Sequence, residues 1–151
     1  EITQIKKIKT ARFGELEIQE DRIFHFADGL PAFEDEREFV ILPFDDDSPY
    51  SFLQSVETPE LAFLMTVPFV FFPDYEFVLE DDVMAALAIK GSEDMQVYTL
   101  VTIPGGNIKE MTANLMAPVV INKETREAKQ VVLDKSQYTT KHRLFPPKED
   151  A

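Results

Sequence analysis

Short runs of apolar residues alternate with turn-forming residues along most of the chain. Residues 15–19 alternate strictly, with Leu16 and Ile18 on one face and polar residues on the other, which is typical of a half-buried strand. Further apolar runs cover residues 23–26, 39–42, 52–56, 61–67, 97–103, 112–122 and 130–133. Strand signals at this short and even spacing predict a mainly β, antiparallel, barrel-like fold.

One segment departs from the strand pattern. Acidic residues occupy positions 80–82, and four apolar residues follow at helical spacing: Val83, Met84, Leu87 and Ala88. Carboxylates in a first helical turn interact favourably with the unpaired amides and the positive end of the helix dipole. The sequence therefore predicts one short helix that ends near Gly91.

The chain is predicted to form a single domain. Its 151 residues, 44% of them hydrophobic, are enough to bury one core of ordinary size. No internal repeat or Gly/Ser-rich linker divides the sequence. We assign residues 1–137 to a single β-barrel-like domain and residues 138–151, which are rich in Lys, His and Pro, to a C-terminal tail.

Acidic residues strongly outnumber basic ones. Lys and Arg total 15 and Asp and Glu total 28, so the formal net charge is −13. This balance argues against direct nucleic-acid binding, since a clustered cationic face supplies most of that affinity. It favours a basic protein partner, because opposite electrostatic fields speed encounter.

Cysteine is absent, which excludes disulfides, thiolate nucleophiles and cysteine-ligated metals. No apolar run approaches the ~20 residues of a membrane-spanning helix. The first ten residues also lack the apolar core of a signal peptide. These features predict a cytoplasmic protein that does not enter a membrane.

Residues that carry catalysis are sparse. Histidine occurs twice, at His25 and His142, but the sequence has no nucleophile elbow whose serine a histidine could activate. It also lacks the residue spacing of a calcium-binding loop and of a phosphate-binding glycine loop. We therefore expect no enzymatic activity, metal or cofactor. A small β-barrel that binds a ligand, or a hydrolase that uses two carboxylates, stays open as the alternative, because 28 acids make some close pair inevitable.

Aromatic residues are most concentrated in residues 60–77, ELAFLMTVPFVFFPDYEF. Pro68 and Pro73 cannot donate to a sheet ladder, so we expect short strands bent around rigid corners. The segment is either core with a solvated edge or an apolar patch with an acidic rim. Asp74 and Tyr75 follow Pro73 and are expected on a loop, where recognition residues concentrate. The alternative is a turn in which Tyr75 lies over the sheet.

Five blocks in order resemble the FliW family of flagellar assembly factors. They are DGLPAFE at residues 28–34, LQSV at 53–56, FPDYEF at 72–77, TANLMAPVVIN at 112–122 and KQVVL at 129–133. The resemblance extends from about Arg12 to Leu133. Ala32 and Ala128 depart from it, because glycine is common at both positions in the family.

The resemblance implies a β-barrel-like, non-enzymatic protein with two partners. These are flagellin, bound in the cytoplasm before export, and CsrA, a small basic RNA-binding regulator whose repression of flagellin translation is relieved when FliW binds it away from its RNA surface. We expect a monomer. Asn114 and Asn122 are expected to satisfy backbone groups of the sheet.

We assign partner binding to an aromatic ridge and to nearby acids that steer a basic partner: Phe72, Pro73, Asp74, Tyr75, Glu76, Asp81 and Asp82. On this assignment, Tyr75→Ala and Asp74→Lys should weaken the binding of CsrA or flagellin without unfolding the domain.

Overall fold

A computed structural model describes residues 4–146 and is dominated by β-strands. The strands within this range are β1 (Ile5–Thr10), β2 (Gly14–Gln19), β3 (Phe24–Phe26), β4 (Glu38–Pro43), β5 (Tyr50–Ser55), β6 (Ala62–Thr66), β7 (Met95–Thr102), β8 (Thr112–Ala113), β9 (Val119–Asn122), β10 (Glu127–Gln130) and β11 (His142–Arg143). Two short helices, α1 (Pro68–Phe71) and α2 (Asp81–Ala86), and four 3₁₀ turns complete the described chain. None of these helices is long and apolar enough to cross a membrane.

Seven of the strands close into a barrel. From β3 to β7, each strand pairs antiparallel with the next one in sequence. The circle continues from β7 to β9 and from β9 to β10, again antiparallel, and closes where β10 pairs with β3. This last pairing is parallel, with Glu127 opposite His25. The predicted mainly β, antiparallel, barrel-like fold is confirmed, with this one parallel pairing, because a closed ring of seven strands cannot alternate direction at every step.

Side chains fill the middle of the barrel. Strand residues alternate between the two faces of the sheet, so one row from each strand faces inward. Phe26, Phe39, Leu53, Met65 and Ile121 belong to this inner layer, and each is at most 1% exposed. The rings of Phe26 and Phe39 meet edge to face, with centroids 5.2 Å apart. The central layer is therefore packed core.

Strand β1, which we did not predict, forms a separate hairpin with β2. Its buried Ile8 packs in a second cluster with Ile23, Val40 and Val56 outside the barrel. The two short strands β8 and β11 extend the sheet beyond β7. The hairpin and this extension each cover part of the outer surface of the barrel.

Several predicted boundaries shift. Pro68 is the first residue of helix α1, a position where its missing amide costs nothing, so it does not bend a strand. Helix α2 ends at Ala86, earlier than predicted, because Ala88 adopts a left-handed φ of 54°. The predicted strand pair of residues 112–122 and 130–133 becomes β8, β9 and β10, since the chain between Ala113 and Val119 leaves the ladder.

Residues 138–145, which the sequence assigns to the C-terminal tail and which we call the strap, pack against the rest of the domain. Strand β11 within it pairs with β8, and Leu144 is 5% exposed and donates its amide to the carbonyl of Met111 over 3.1 Å. The polar composition hid three aromatic or apolar contacts, made by Tyr138, Leu144 and Phe145. Residues 147–151 of the predicted tail lie outside the described residues.

Candidate partner-binding site

The predicted ridge lies in a tight corner after β6. Helix α1 makes one turn, and the amide of Phe72 donates to the carbonyl of Pro68 over 2.8 Å. The amide of Tyr75 then donates to the carbonyl of Phe72 over 3.0 Å, which folds the chain back on itself. Two successive turns therefore fix the direction of every side chain from Phe72 to Glu76.

Tyr75 points into the molecule. Its side chain is 4% exposed, and its hydroxyl donates to the carbonyl of Leu115 over 2.7 Å in a buried hydrogen bond. Its ring lies 5.4 Å from Phe77, 5.9 Å from Phe69 and, edge to face, 4.7 Å from Tyr138. Burial, and then the nearby Tyr138, raise the pKa of Tyr75, so the hydroxyl remains a donor. For Tyr75 the structure therefore has the alternative in which the side chain lies over the sheet, and the side chain is not presented on a loop.

The neighbours of Tyr75 face outward. Pro73, Asp74 and Glu76 are exposed, while Phe72 is half-buried with its ring edge to face against His142. On α1, Phe69 is 43% exposed and Val70 is 59% exposed. The corner thus presents apolar surface beside carboxylates, which was one of the two interpretations left open by the sequence.

The strap holds the corner from outside. The hydroxyl of Tyr138 accepts a hydrogen bond from the amide of Glu76 over 3.1 Å. Nε2 of His142 accepts one from the amide of Thr139 over 2.8 Å, which requires an unprotonated nitrogen. Burial lowers the pKa of His142, in agreement with that requirement. The sequence did not predict that the strap contacts the corner, because its tyrosine and histidine lie among charged residues.

Helix α2 is fixed at both ends. Asp81 and Asp82 are exposed in its first turn, and Oδ1 of Asp82 accepts from the amide of Val83 over 2.9 Å. At the other end, Nδ2 of Asn122 donates to the carbonyls of Leu87 and Ala88 over 2.8 and 3.2 Å. Asn122 thus satisfies backbone groups, as predicted, but at the end of α2 and not at a sheet edge, and Asn114 accepts from the amide of Ala117 in the chain between β8 and β9.

An open groove of about 630 Å³ lies between two parts of the chain, residues 76–83 and residues 129–136. Glu76 and Asp82 both line it, whereas Asp74 and Asp81 lie outside its walls. Val78, on the first wall, is 89% exposed. The structure therefore brings part of the predicted site together across this groove and leaves the rest on the adjoining surface.

Within residues 4–146, the second wall of the groove carries a backbone amide without a hydrogen-bond partner. The amides of Val131 and Leu133 donate to the carbonyls of Pro118 and Met116, away from the groove. Alternation along an extended chain turns the Val132 amide the other way. Within residues 4–146 that amide has no hydrogen-bond partner. The sequence pointed to the first wall alone, because burial of alternate residues in the second resembles an ordinary core strand.

The remaining candidates for chemistry have local roles in the part of the chain that is described. Nδ1 of His25 lies 3.8 Å from Glu38 at an exposed position. Glu36 accepts hydrogen bonds from the hydroxyls of Ser55 and Thr58, which fixes the loop after β5. No group of three His, Asp or Glu residues is arranged to hold a metal ion within residues 4–146.

Comparison with known proteins gives a consistent result. The family model described as FliW protein matches residues 7–144. Proteins described as flagellar assembly factor FliW are 44% identical in Heliobacterium modesticaldum, over 93% of this chain and 91% of the relative, and 48% identical in Bacillus licheniformis, over 89% and 93%. A crystal structure of the flagellar assembly factor FliW is 43% identical, with a TM-score of 0.89, and covers 95% of this chain and 100% of that one.

Proposed function

The chain belongs to the FliW family, and from this premise we propose that it is a non-enzymatic flagellar assembly factor. In this proposal it binds flagellin in the cytoplasm before export. When flagellin leaves, the released protein binds the RNA-binding regulator CsrA and antagonises it, which relieves the repression of flagellin synthesis. The protein acts by occupying its partners and carries out no bond-making step.

One observation supports a binding role most directly, namely the exposed apolar surface beside the acidic corner. Phe69, Val70 and Val78 are large apolar residues that water covers only at a cost in free energy. Exposed carboxylates of Asp74 and Glu76 stand next to them. Apolar contact area with a charged rim is the usual composition of a protein interface.

The acidic rim favours a basic partner such as CsrA. The net charge of −13 attracts a cationic surface at long range, and the carboxylates of the corner and of α2 define the place where it docks. We assign direct contact to the outward-facing set: Phe72, Pro73, Asp74, Glu76, Asp81 and Asp82. Tyr75 has a different part, since it is buried and positions its neighbours.

A binding titration tests this assignment. The double variant Asp74→Lys/Glu76→Lys reverses two charges of the rim, and we expect it to weaken the binding of purified CsrA about tenfold or more at moderate salt. Asp46→Lys/Asp47→Lys is the matched control, because it makes the same charge change in another exposed loop. Flagellin is titrated in parallel, and urea unfolding verifies that each variant is folded.

The pattern of losses decides the outcome. A loss confined to the corner variant supports the site. An equal loss in both variants would mean that net charge alone attracts CsrA, and unchanged affinity for both partners would remove the corner from the interface. Failure of the unmodified protein to bind either partner would overturn the proposed function itself.

A further inference from the structure

One end of the barrel is open and holds an unexpected concentration of positive charge. A cavity of about 450 Å³ lies there, and Arg22, Lys123 and Arg126 line it together with a single carboxylate, Asp21. The lining therefore carries a net charge of +2 in a chain whose formal charge is −13. This end of the barrel, which we call the mouth, contains none of the residues of the acidic corner.

The floor of the mouth is apolar and uncovered. Phe24, Ile41 and Tyr98 pack against the central layer of the barrel from above, and each is only partly buried. The layer beneath them, which includes Phe39 and Leu53, is fully buried. A molecule in the mouth would thus rest on aromatic and aliphatic side chains without entering the core. Mouths of β-barrels are common ligand sites for this reason.

The three cations are free of carboxylate partners. Within residues 4–146 the ion pairs join His25 to Glu38 and Lys129 to Asp28, so Arg22, Lys123 and Arg126 take part in none. Asp21 offsets only one of the three positive charges, and an anion between the cations would relieve the remaining repulsion. The positive charge of the lining and the unpaired hydrogen-bond donors of its Arg and Lys side chains therefore both favour a bound anion.

Two turns hold these cations in place. Arg22 ends the 3₁₀ turn Glu20–Arg22 that leads into β3. The turn between β9 and β10 carries the other two, and Oδ1 of Asn122 accepts from the amides of Glu124 and Thr125 inside it. The carbonyl of Arg126 accepts from the amide of His25 over 2.8 Å. The backbone of the rim is therefore ordered before a ligand binds, and binding has to order only the cationic side chains.

We propose that the mouth binds a phosphate monoester with a flat apolar body. A phosphate monoester carries about −1.5 to −2 charges at neutral pH, which suits three cations better than a single carboxylate would. Its organic part lies on Phe24, Ile41 and the ring of Tyr98. The side chain of Gln96, which also lines the mouth, and the hydroxyl of Tyr98 add polar contacts near the head group.

Nuclear magnetic resonance titration of the labelled protein with phenyl phosphate tests the proposal. We expect amide shifts centred on the turns that carry Arg22, Lys123 and Arg126, and weaker binding of inorganic phosphate and of benzyl alcohol, which each lack half of the ligand. Arg22→Gln/Lys123→Gln should weaken phenyl phosphate binding about tenfold. Lys90→Gln/Lys109→Gln is the control, since both lysines are exposed and lie outside the mouth.

Three results would overturn the proposal: shifts centred elsewhere, equal weakening by the control variant, or inorganic phosphate that binds as tightly as phenyl phosphate. Thermal unfolding of each variant verifies the fold. The titration uses neither CsrA nor flagellin and changes no residue of the acidic corner, so its outcome is independent of the proposed function.

Discussion

Replacement of Tyr75 by phenylalanine removes a single oxygen from the corner and leaves its ring in place. The hydroxyl donates to the carbonyl of Leu115 over 2.7 Å, and the two residues are 4% and 1% exposed. Water cannot easily replace the lost donor at such a position, so the carbonyl of Leu115 remains buried without this partner. The loss of stability therefore measures how much the hydrogen bond between the corner and the segment that precedes β9 contributes.

The expected magnitude follows from that burial. A net hydrogen bond contributes ~1 kcal/mol, and an unsatisfied buried group costs ~1–3 kcal/mol, so we expect Tyr75→Phe to lower the free energy of unfolding by about 1.5 kcal/mol. For a domain of this size the melting temperature should fall by about 3–6 °C. Tyr75→Ala also empties a packed site between Phe69, Phe77 and Tyr138, and it should cost ~3–5 kcal/mol.

Urea denaturation followed by circular dichroism measures both variants against the unmodified chain. Asp74→Lys serves as the neighbouring control, because an exposed substitution should stay within ~0.5 kcal/mol. A Tyr75→Phe variant as stable as the unmodified protein would refute the reasoning, since the buried bond would then contribute nothing. The sequence-based expectation that Tyr75→Ala leaves the domain intact is replaced by this ranking.

Three further predictions concern the strap and the loop after β3. Burial lowers the pKa of His142 in the folded protein, so the unfolded chain binds a proton more readily and stability should fall as pH drops from about 7.5 to 5.5. Urea unfolding at both pH values should show a smaller fall in His142→Gln. An equal fall in the variant and the unmodified protein would contradict this prediction. Ala32 has a left-handed φ of 70°, so Ala32→Gly should raise stability by ~0.5–1 kcal/mol in thermal unfolding. An unchanged stability would mean that the backbone at Ala32 is not strained. Gly29→Ala in the same loop should destabilise the protein, because the new Cβ would meet the carbonyl of Glu34 at 2.5 Å; a stable variant would exclude that clash.

The strands of the barrel were predictable because their side chains obey a local rule. Alternating burial in β2 and the apolar runs of β4 and β5 depend only on which residues face a core. Closure of the barrel was less accessible. The parallel pairing of β10 with β3 joins residues about a hundred positions apart, and no local pattern records such a contact.

The direction of Tyr75 in the corner could not be predicted for a related reason. Position after Pro73 predicted a loop correctly, but the direction of Tyr75 depends on a carbonyl forty residues away and on Tyr138 in the strap. A tyrosine beside acidic residues is equally compatible with both orientations. Only the long-range partners decide between them, and those partners were hidden in a block assigned to a strand and in a segment assigned to a tail.

The burial of Tyr75 changes how binding experiments on this corner must be interpreted. Asp74 and Glu76 flank a residue whose ring and hydroxyl connect the corner to two distant segments, so their carboxylates keep their position only while those connections hold. A loss of partner binding in Tyr75→Ala would therefore measure displacement of the rim. A loss in Asp74→Lys, with unchanged unfolding, would measure contact. The two variants therefore act through different physical causes. Tyr75→Phe should lower stability by more than Asp74→Lys and by less than Tyr75→Ala. Because the ring of the Tyr75→Phe variant keeps the rim in place, its partner affinity should change less than its stability.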